Sequence, residues 1–198
     1  MHLGFNRDVG VDELAGWARD QDIGSMLATT NRLPVAAGGS VLCPAGMPHA
    51  ISAGILVVEL QEPADLSIML EWRTFSLSEQ EATLGLPLEQ ALACVDRRAC
   101  SPERLQALRG GSLSSAAGSL LPAEGDPFFV AERVNTKVSR RLSQSYGVLV
   151  VTAGEGYLTT ESGGSVPVGR GSTVLIPHAG GPAVLIGAVE GVRCLPAG

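Results

Sequence analysis

Apolar residues along the first part of the chain change their spacing twice, and those changes divide it into segments. A short apolar start, HLGF, precedes a stretch from Asp8 to about Thr30 in which Leu14, Trp17 and Ala18 recur at helical spacing, with Asp8, Asp12 and Glu13 towards its beginning. This predicts a helical segment, weakened by Gly16 and Gly24. From Leu33 the texture turns to short β-rich pieces, SVLCPAG, GILVVELQ and LSIMLEWR, each bounded by Gly, Pro or Asp and each predicted to be a strand. Residues 86–109 return to helical period, with Leu88, Ala91, Leu92 and Val95 on one face. A second helix start comes next, Ser101 as N-cap and Pro102 at the first helical position, stopped by Gly110-Gly111. The run GSLSSAAGSLLPAEGDP, residues 111–127, is small and polar enough to be a connector. Beyond it FFVAERV, YGVLVVTAG, GYLTTE, STVLIP and AVLIGAVEG all read as strands.

One internal similarity ties the two β-rich regions together. Residues 34–44, PVAAGGSVLCP, and 167–177, PVGRGSTVLIP, align without gaps at an offset of 133 residues. A glycine turn, a V-L strand and a terminating proline make a β-turn-β unit, and two such units fit a β-sandwich or jelly roll. Text this rich in Pro, Gly and Val also produces short matches by chance.

Composition narrows the classes. With 198 residues, 45% hydrophobic content and a mean hydropathy of +0.23, the chain is globular in character and able to bury one good core or two small ones. A net charge of −6, no Lys/Arg cluster and 4% aromatic residues lack the basic footprint of phosphate-backbone binding, so no nucleic-acid partner is expected. No apolar run approaches the roughly 20 residues that cross a bilayer, so no membrane partner is expected either. The opening MHLGFNRDVG has no secretory pattern, which predicts a cytoplasmic location. Cys43, Cys94, Cys100 and Cys194 show no C-x-x-C spacing and are expected as reduced thiols, mostly packed. GEGYL and ESGGSVPVGRG carry turn glycines rather than a dinucleotide fingerprint, and no G-x-S-x-G occurs. The SRR run, 139–141, with Lys137, is read as a solvated loop or, less simply, a site for an anionic sugar phosphate.

The stretch PAGMPHAISAG, residues 44–54, places His49 between glycines and prolines. A loop histidine of this kind is either solvated and hydrogen-bonded or a metal ligand. LGFNRDV (3–9) and PVAAGGSVLCPAGMPHAISAGILVVELQ (34–61) resemble the catalytic cupin of class I mannose-6-phosphate isomerases, most specifically in Pro44-x-Gly46-x-x-His49-Ala50, Gly54 and Glu59-x-Gln61. GVLVVTAGEGYL and GRGSTVLIP resemble that family's second cupin more loosely.

The resemblance implies chemistry for those positions. A histidine in the place of His49 shares a divalent metal, usually Zn2+, with a glutamine, another histidine and a glutamate. The metal polarises sugar oxygens while a proton moves between carbons 1 and 2 through an enediol. Glu59 matches a pocket glutamate able to act as acid or base, and Gln61 a substrate-binding position.

Two departures qualify the carry-over. The family arginine ten residues beyond the glutamate falls on Met69, and a thioether cannot stabilise an oxyanion. Arg73, nearby, is either a substitute or an exposed arginine at a strand end, and Met69 leaves an unphosphorylated sugar open as substrate. Family members also carry another part of the cupin upstream of the LGF stretch, bearing the remaining ligands. No residue here replaces them: His2 is too generic, and Pro182 stands where the internal similarity would place a second His49. His178 then reads as a turn histidine.

The combined expectation is a mainly β chain of cupin, jelly-roll β-sandwich units, a partial first one over 1–76 and a complete second one over 127–198, with a helical segment and connector over 77–126 between them. Its implied function is metal-dependent aldose–ketose isomerisation of a sugar phosphate, inactive alone for want of ligands. The alternative is a catalytically silent sugar-binding or scaffold cupin. Partners would be a small-molecule sugar or sugar phosphate, and a second copy of the chain or an upstream fragment to cover open strand edges.

Overall fold

The computed structural model describes residues 1–62, 66–110 and 119–197. The chain divides into two compact units, the first comprising Met1–Ala37, Cys43–Leu56 and Pro63–Leu108, the second Gly38–Leu42, Val57–Glu62 and Arg109–Gly198. Among the described residues no helix is long and apolar enough to cross a membrane.

In the first unit, strand β1 (His2–Phe5) is the centre of a small antiparallel sheet, flanked by β2 (Thr30–Arg32) and β3 (His49–Ala50). Leu3 pairs with His49, and Leu3 and Phe5 are buried. The helical spacing over 8–30 is realised as α1 (Val11–Asp20) and α2 (Ile23–Ala28). They are separated at Gln21, which takes a left-handed conformation with φ of 57°. Asp12 and Glu13 sit in the first turn of α1, where carboxylates complement the helix dipole. Leu14, Ala15 and Ala18 bury one stripe of α1 in a core that also holds Phe5, Val9, Trp72, Ala82 and Leu92.

Gln21 also ties the irregular chain at residues 70–73 to the end of α1. Its Nε2 donates to the Leu70 carbonyl at 2.9 Å, and its Oε1 accepts from the backbone N–H groups of Trp72 at 2.8 Å and Arg73 at 3.1 Å. Three otherwise unpaired backbone groups are thereby satisfied by one amide, which is what buried irregular chain requires. Helices α3 (Glu79–Ala82), α4 (Leu88–Ala93) and α5 (Pro102–Ala107) complete the unit. Ser78 and Glu81 form a reciprocal capping box on α3. The expected start of α5 is present: the Ser101 hydroxyl accepts the Arg104 N–H at 3.2 Å, with Pro102 in the first turn. Gly111 and the first part of the expected connector, residues 111–118, lie outside the described residues.

The three strands expected between residues 40 and 73 do not form. Over 41–62 and 66–73 the ladder contacts among the described residues are the short β3 and an isolated bridge between Val41 and Arg109. Two physical causes are visible. GILVVELQ is mostly exposed, with Leu56 at 89% of its full accessibility, and has no neighbouring strand to receive its backbone groups among the described residues. Met69, Leu70 and Trp72 instead place their apolar surface in the helical core. Packing on helices, not ladder pairing, satisfies the pattern of LSIMLEWR.

The second unit is the β-rich one. Strand β9 (Ala183–Pro196) pairs along one edge with β4 (Phe129–Thr136) and β5 (Ser139–Leu142), and along the other with β6 (Gly147–Thr160). β6 in turn pairs with β7 (Gly164–Gly169) and β8 (Thr173–Ile176), all antiparallel. The two pieces YGVLVVTAG and GYLTTE are thus one strand. A register shift between Val151 and Ala153 explains why they read as two. Leu149 and Val151 are buried before it and Leu158 after it, so the inward parity flips across the bulge. Those residues and Val134, Leu142, Val168, Ile176, Leu185 and Val189 form the core. SRR is a strand rather than a loop, because Arg140 is fixed to Glu132 Oε1 at 2.5 Å and to the Arg133 carbonyl at 2.7 Å.

The internal similarity survives at its turn. Gly38 and its counterpart Gly171 both take positive φ, 80° and 89°. Only the second copy is flanked by strands, β7 and β8.

Candidate functional site

His49 is delivered by a tightly held turn. Met47 N–H donates to the Pro44 carbonyl at 3.1 Å, and Gly46, at φ of 77°, packs so closely that a Cβ would lie 2.5 Å from the Cys94 carbonyl oxygen. The turn is then stitched to its neighbours by Asp96 N–H to Gly46 O and Gly4 N–H to Pro48 O, both 2.8 Å. A glycine is needed at 46 for both its backbone sign and this approach.

The imidazole is exposed, and its Nδ1 lies 3.1 Å from the Met47 carbonyl and 3.1 Å from Cys43 Sγ. A carbonyl only accepts, so Nδ1 carries the proton and donates it, with the sulfur as a second, weaker acceptor. The lone pair is left on Nε2, which has no hydrogen bond among the described residues. Metal-binding histidines take this form, one ring nitrogen anchored by a carbonyl and the other free to coordinate. Cys43 is the residue that sequence reasoning passed over, as a packed thiol; nothing in the spacing to His49 signals the contact.

Glu59 and Gln61 are brought together in the second unit. Gln61 Nε2 donates to Glu59 Oε1 at 3.1 Å, an i, i+2 contact between two exposed side chains, leaving Oε2 open. Arg73 has different company. Its Nη1 and Nη2 donate to the carbonyls of Asp20 at 3.2 Å and Arg19 at 3.0 Å, closing the C-terminal end of α1 where a cation complements the dipole. Met69, in the place of the family arginine, lies partly buried against the first core. His178 opens a short 3-10 turn, His178–Gly180, whose first carbonyl accepts from Gln144 Nε2 at 3.0 Å.

A catalytic zinc site takes about three protein ligands. Among the described residues no group of three or more His, Cys, Asp or Glu side chains is placed to hold a metal ion. His49 fits as one ligand by its anchored ring, but the described residues do not make a complete site.

No family model matches the chain, and no curated protein sequence matches it. Solved structures do. A putative mannosephosphate isomerase from Archaeoglobus fulgidus superimposes with a TM-score of 0.65 at 11% identity, over 100% of this chain and 57% of that one. The mannose 6-phosphate isomerase from Bacillus subtilis superimposes with a TM-score of 0.67 at 16% identity, over 98% of this chain and 59% of that one. The chain has the fold of these isomerases. It is mainly β, with antiparallel sheets. It spans less than two thirds of their length, 57% and 59%. At such identities the likeness is one of fold, and residue roles have to be argued from the chain itself.

Proposed function

We propose that the chain is a mannose-6-phosphate isomerase-like protein whose parent reaction is metal-dependent interconversion of an aldose phosphate and a ketose phosphate, and that it does not turn over alone. The observation that carries this is the fold match to two isomerases over 98% and 100% of the chain. In this reading His49 supplies Nε2 to a divalent metal, zinc by resemblance, whose chemistry is to polarise the sugar's oxygens. Glu59 offers its open Oε2 to the migrating proton, and the Gln61 amide, already donating to Glu59, orients that carboxylate and reaches a substrate hydroxyl. Arg73 acts by holding the end of α1 rather than by touching substrate, because its two terminal nitrogens are engaged by carbonyls. The remaining ligands come from a second copy or another segment, and the cytoplasm is the compartment, in keeping with four cysteines outside any disulfide.

The test is a zinc titration of the purified chain followed by NMR of the histidine rings, with an isomerase assay alongside. The expected result is weak zinc binding that shifts His49 and vanishes in His49→Ala, with no turnover by the chain alone. Zinc shifts that persist in His49→Ala, or turnover indifferent to a chelator, would overturn it. A second reading, a silent sugar-binding cupin, is favoured by the incomplete donor set. Metal-free chain that binds a hexose phosphate equally well with His49→Ala would select it.

A further inference from the structure

The ladders of the second unit leave part of one sheet face open. Cross-strand partners stand on the same face of a sheet, and the pair Leu158 and Leu185 takes the inner face, in the core. Their chain neighbours Tyr157 and Ile186 therefore point outward. Tyr157 pairs with Ile186 on one side and Pro167 on the other, and Ile186 pairs with Ser139, so one outward row crosses β5, β9, β6 and β7. Tyr157 and Ile186 are 56% and 47% exposed. Val184 and Ala188, two residues away along β9 in either direction, stand on the same face and extend the apolar strip. Two large apolar side chains set directly opposite each other in water mark a contact surface more than scattered exposed residues do.

Charge is divided between the two flanks of this strip. On the β5 side Arg141 pairs with Val184, and Lys137 lies just before the strand. On the β6 side Glu155 pairs with Ala188. All three are exposed, and none of their side chains has a hydrogen bond or ion pair among the described residues. Glu190, the next outward residue of β9, differs in having a counter-charge in its own chain, the guanidinium of the buried Arg133.

A strip with cations on one flank and a carboxylate on the other is complementary to itself. A two-fold axis along β9 turns the β5 flank of one copy onto the β6 flank of the other, and the reverse, so that each cationic flank meets a Glu155 and Ile186 meets its own counterpart. Sheets related in this way keep their strands nearly aligned, a common arrangement of packed sheets. The Tyr157 ring then lies against Ser139 of the second copy, its body buried and its hydroxyl at the rim. We propose that this face, centred on Ile186 and Tyr157, joins two copies of the chain in an isologous dimer. The opposed flanks favour a second copy over a sugar stacked on Tyr157, which makes no use of them. The proposal does not rest on the isomerase reading, because association is measured without metal or turnover.

The experiment is sedimentation equilibrium of the full chain over a concentration series, with far-UV circular dichroism confirming that each variant is folded. A reversible monomer–dimer equilibrium is expected. Glu155→Arg makes both flanks cationic and should weaken the dimer about tenfold or more, as should Lys137→Glu combined with Arg141→Glu, which makes both acidic. Mixed in equal amounts, these two variants should form a heterodimer, a recovery that damage to the fold cannot produce. Ile186→Glu sets two carboxylates against each other at the axis and should abolish association. A chain that is monomeric at every concentration, a dimer that Ile186→Glu leaves intact, or no recovery on mixing would overturn the proposal. A monomer that binds a hexose and loses it in Tyr157→Ala would replace it with a sugar platform.

Discussion

Replacing Gly46 by alanine tests whether the turn that carries His49 is held as described. Two costs add. A non-glycine residue in left-handed backbone costs about 1–2 kcal/mol, and Gly46 has φ of 77°. The new Cβ would also lie 2.5 Å from the Cys94 carbonyl oxygen, which is backbone and cannot swing aside as a side chain could. Relieving that clash moves the turn away from its neighbour and lengthens the Asp96 N–H to Gly46 O bond, now 2.8 Å, at about 1 kcal/mol. The sum is roughly 2–3 kcal/mol. Gly85 supplies the control, because it lies in the same unit with φ of 80° and nothing within 4 Å of its notional Cβ. Gly85→Ala should then lose only the conformational part, about 1–2 kcal/mol. Urea unfolding followed by tryptophan fluorescence reads the first unit directly, since Trp72 is in its core and Trp17 packs against it. Equal losses for the two variants would mean that the approach of Gly46 to Cys94 does not exist, and the anchoring of His49 would fall with it.

Arg73→Ala should destabilise the first unit by about 1 kcal/mol, the worth of an exposed cation on helix-end carbonyls, while leaving sugar-phosphate affinity unchanged; a binding defect without a stability loss would reverse that assignment. The side-chain hydrogen bond from Arg98 leads the causes that hold the Asp96 carboxyl down, to about 2 from an ordinary 3.8. A folded-state value below the unfolded one gives stability that is present above the unfolded value and lost as pH falls through the folded one. Acid unfolding should therefore be shallower in Asp96→Asn between those two values, and an identical profile would refute the pairing. In the second unit Arg193 is fully buried, with Glu132 Oε2 at 3.3 Å and the Ser143 carbonyl at 2.6 Å. Glu132→Gln removes the carboxylate that pairs it and should cost roughly 3 kcal/mol in denaturant unfolding; a loss under about 0.5 kcal/mol would show the pair to be dispensable.

Features decided within a few residues were legible in the sequence. Ser101 followed by Pro102 is a complete local instruction: the hydroxyl finds the Arg104 N–H, and the proline occupies a position whose N–H has no helical partner. The stripe of Leu14 and Ala18 likewise identified the buried face of α1. The company that His49 keeps could not be read in this way. Its contacts with Cys43 and the Met47 carbonyl depend on how the turn closes, and no periodicity encodes that. Nor could Arg73 be assigned, because the carbonyls it closes belong to a helix more than fifty residues earlier in the chain.

The failed strands carry the more general lesson. GILVVELQ and AVLIGAVEG have nearly the same β-branched, apolar texture, yet the second lies in the longest ladders of the chain and the first has none among the described residues. A strand is a relation between two stretches, and a sequence pattern states only the readiness of one of them. β9 has β4 and β5 on one side and β6 on the other, so every residue from Ala183 to Ile186 is paired on both edges. Around Leu56, by contrast, the backbone groups have no strand beside them among the described residues. In the second unit partners arrive through tight turns, as between β6 and β7 across residues 161–163, which hold register at little entropic cost. GILVVELQ comes after a stretch broken by Pro44 and Pro48, where no hairpin can bring a neighbour alongside. The apolar pattern there is met only as far as Met69 and Trp72, where α1 and α4 offer a surface to bury against. Whether a β-competent sequence becomes a strand is therefore decided by what its turns bring beside it.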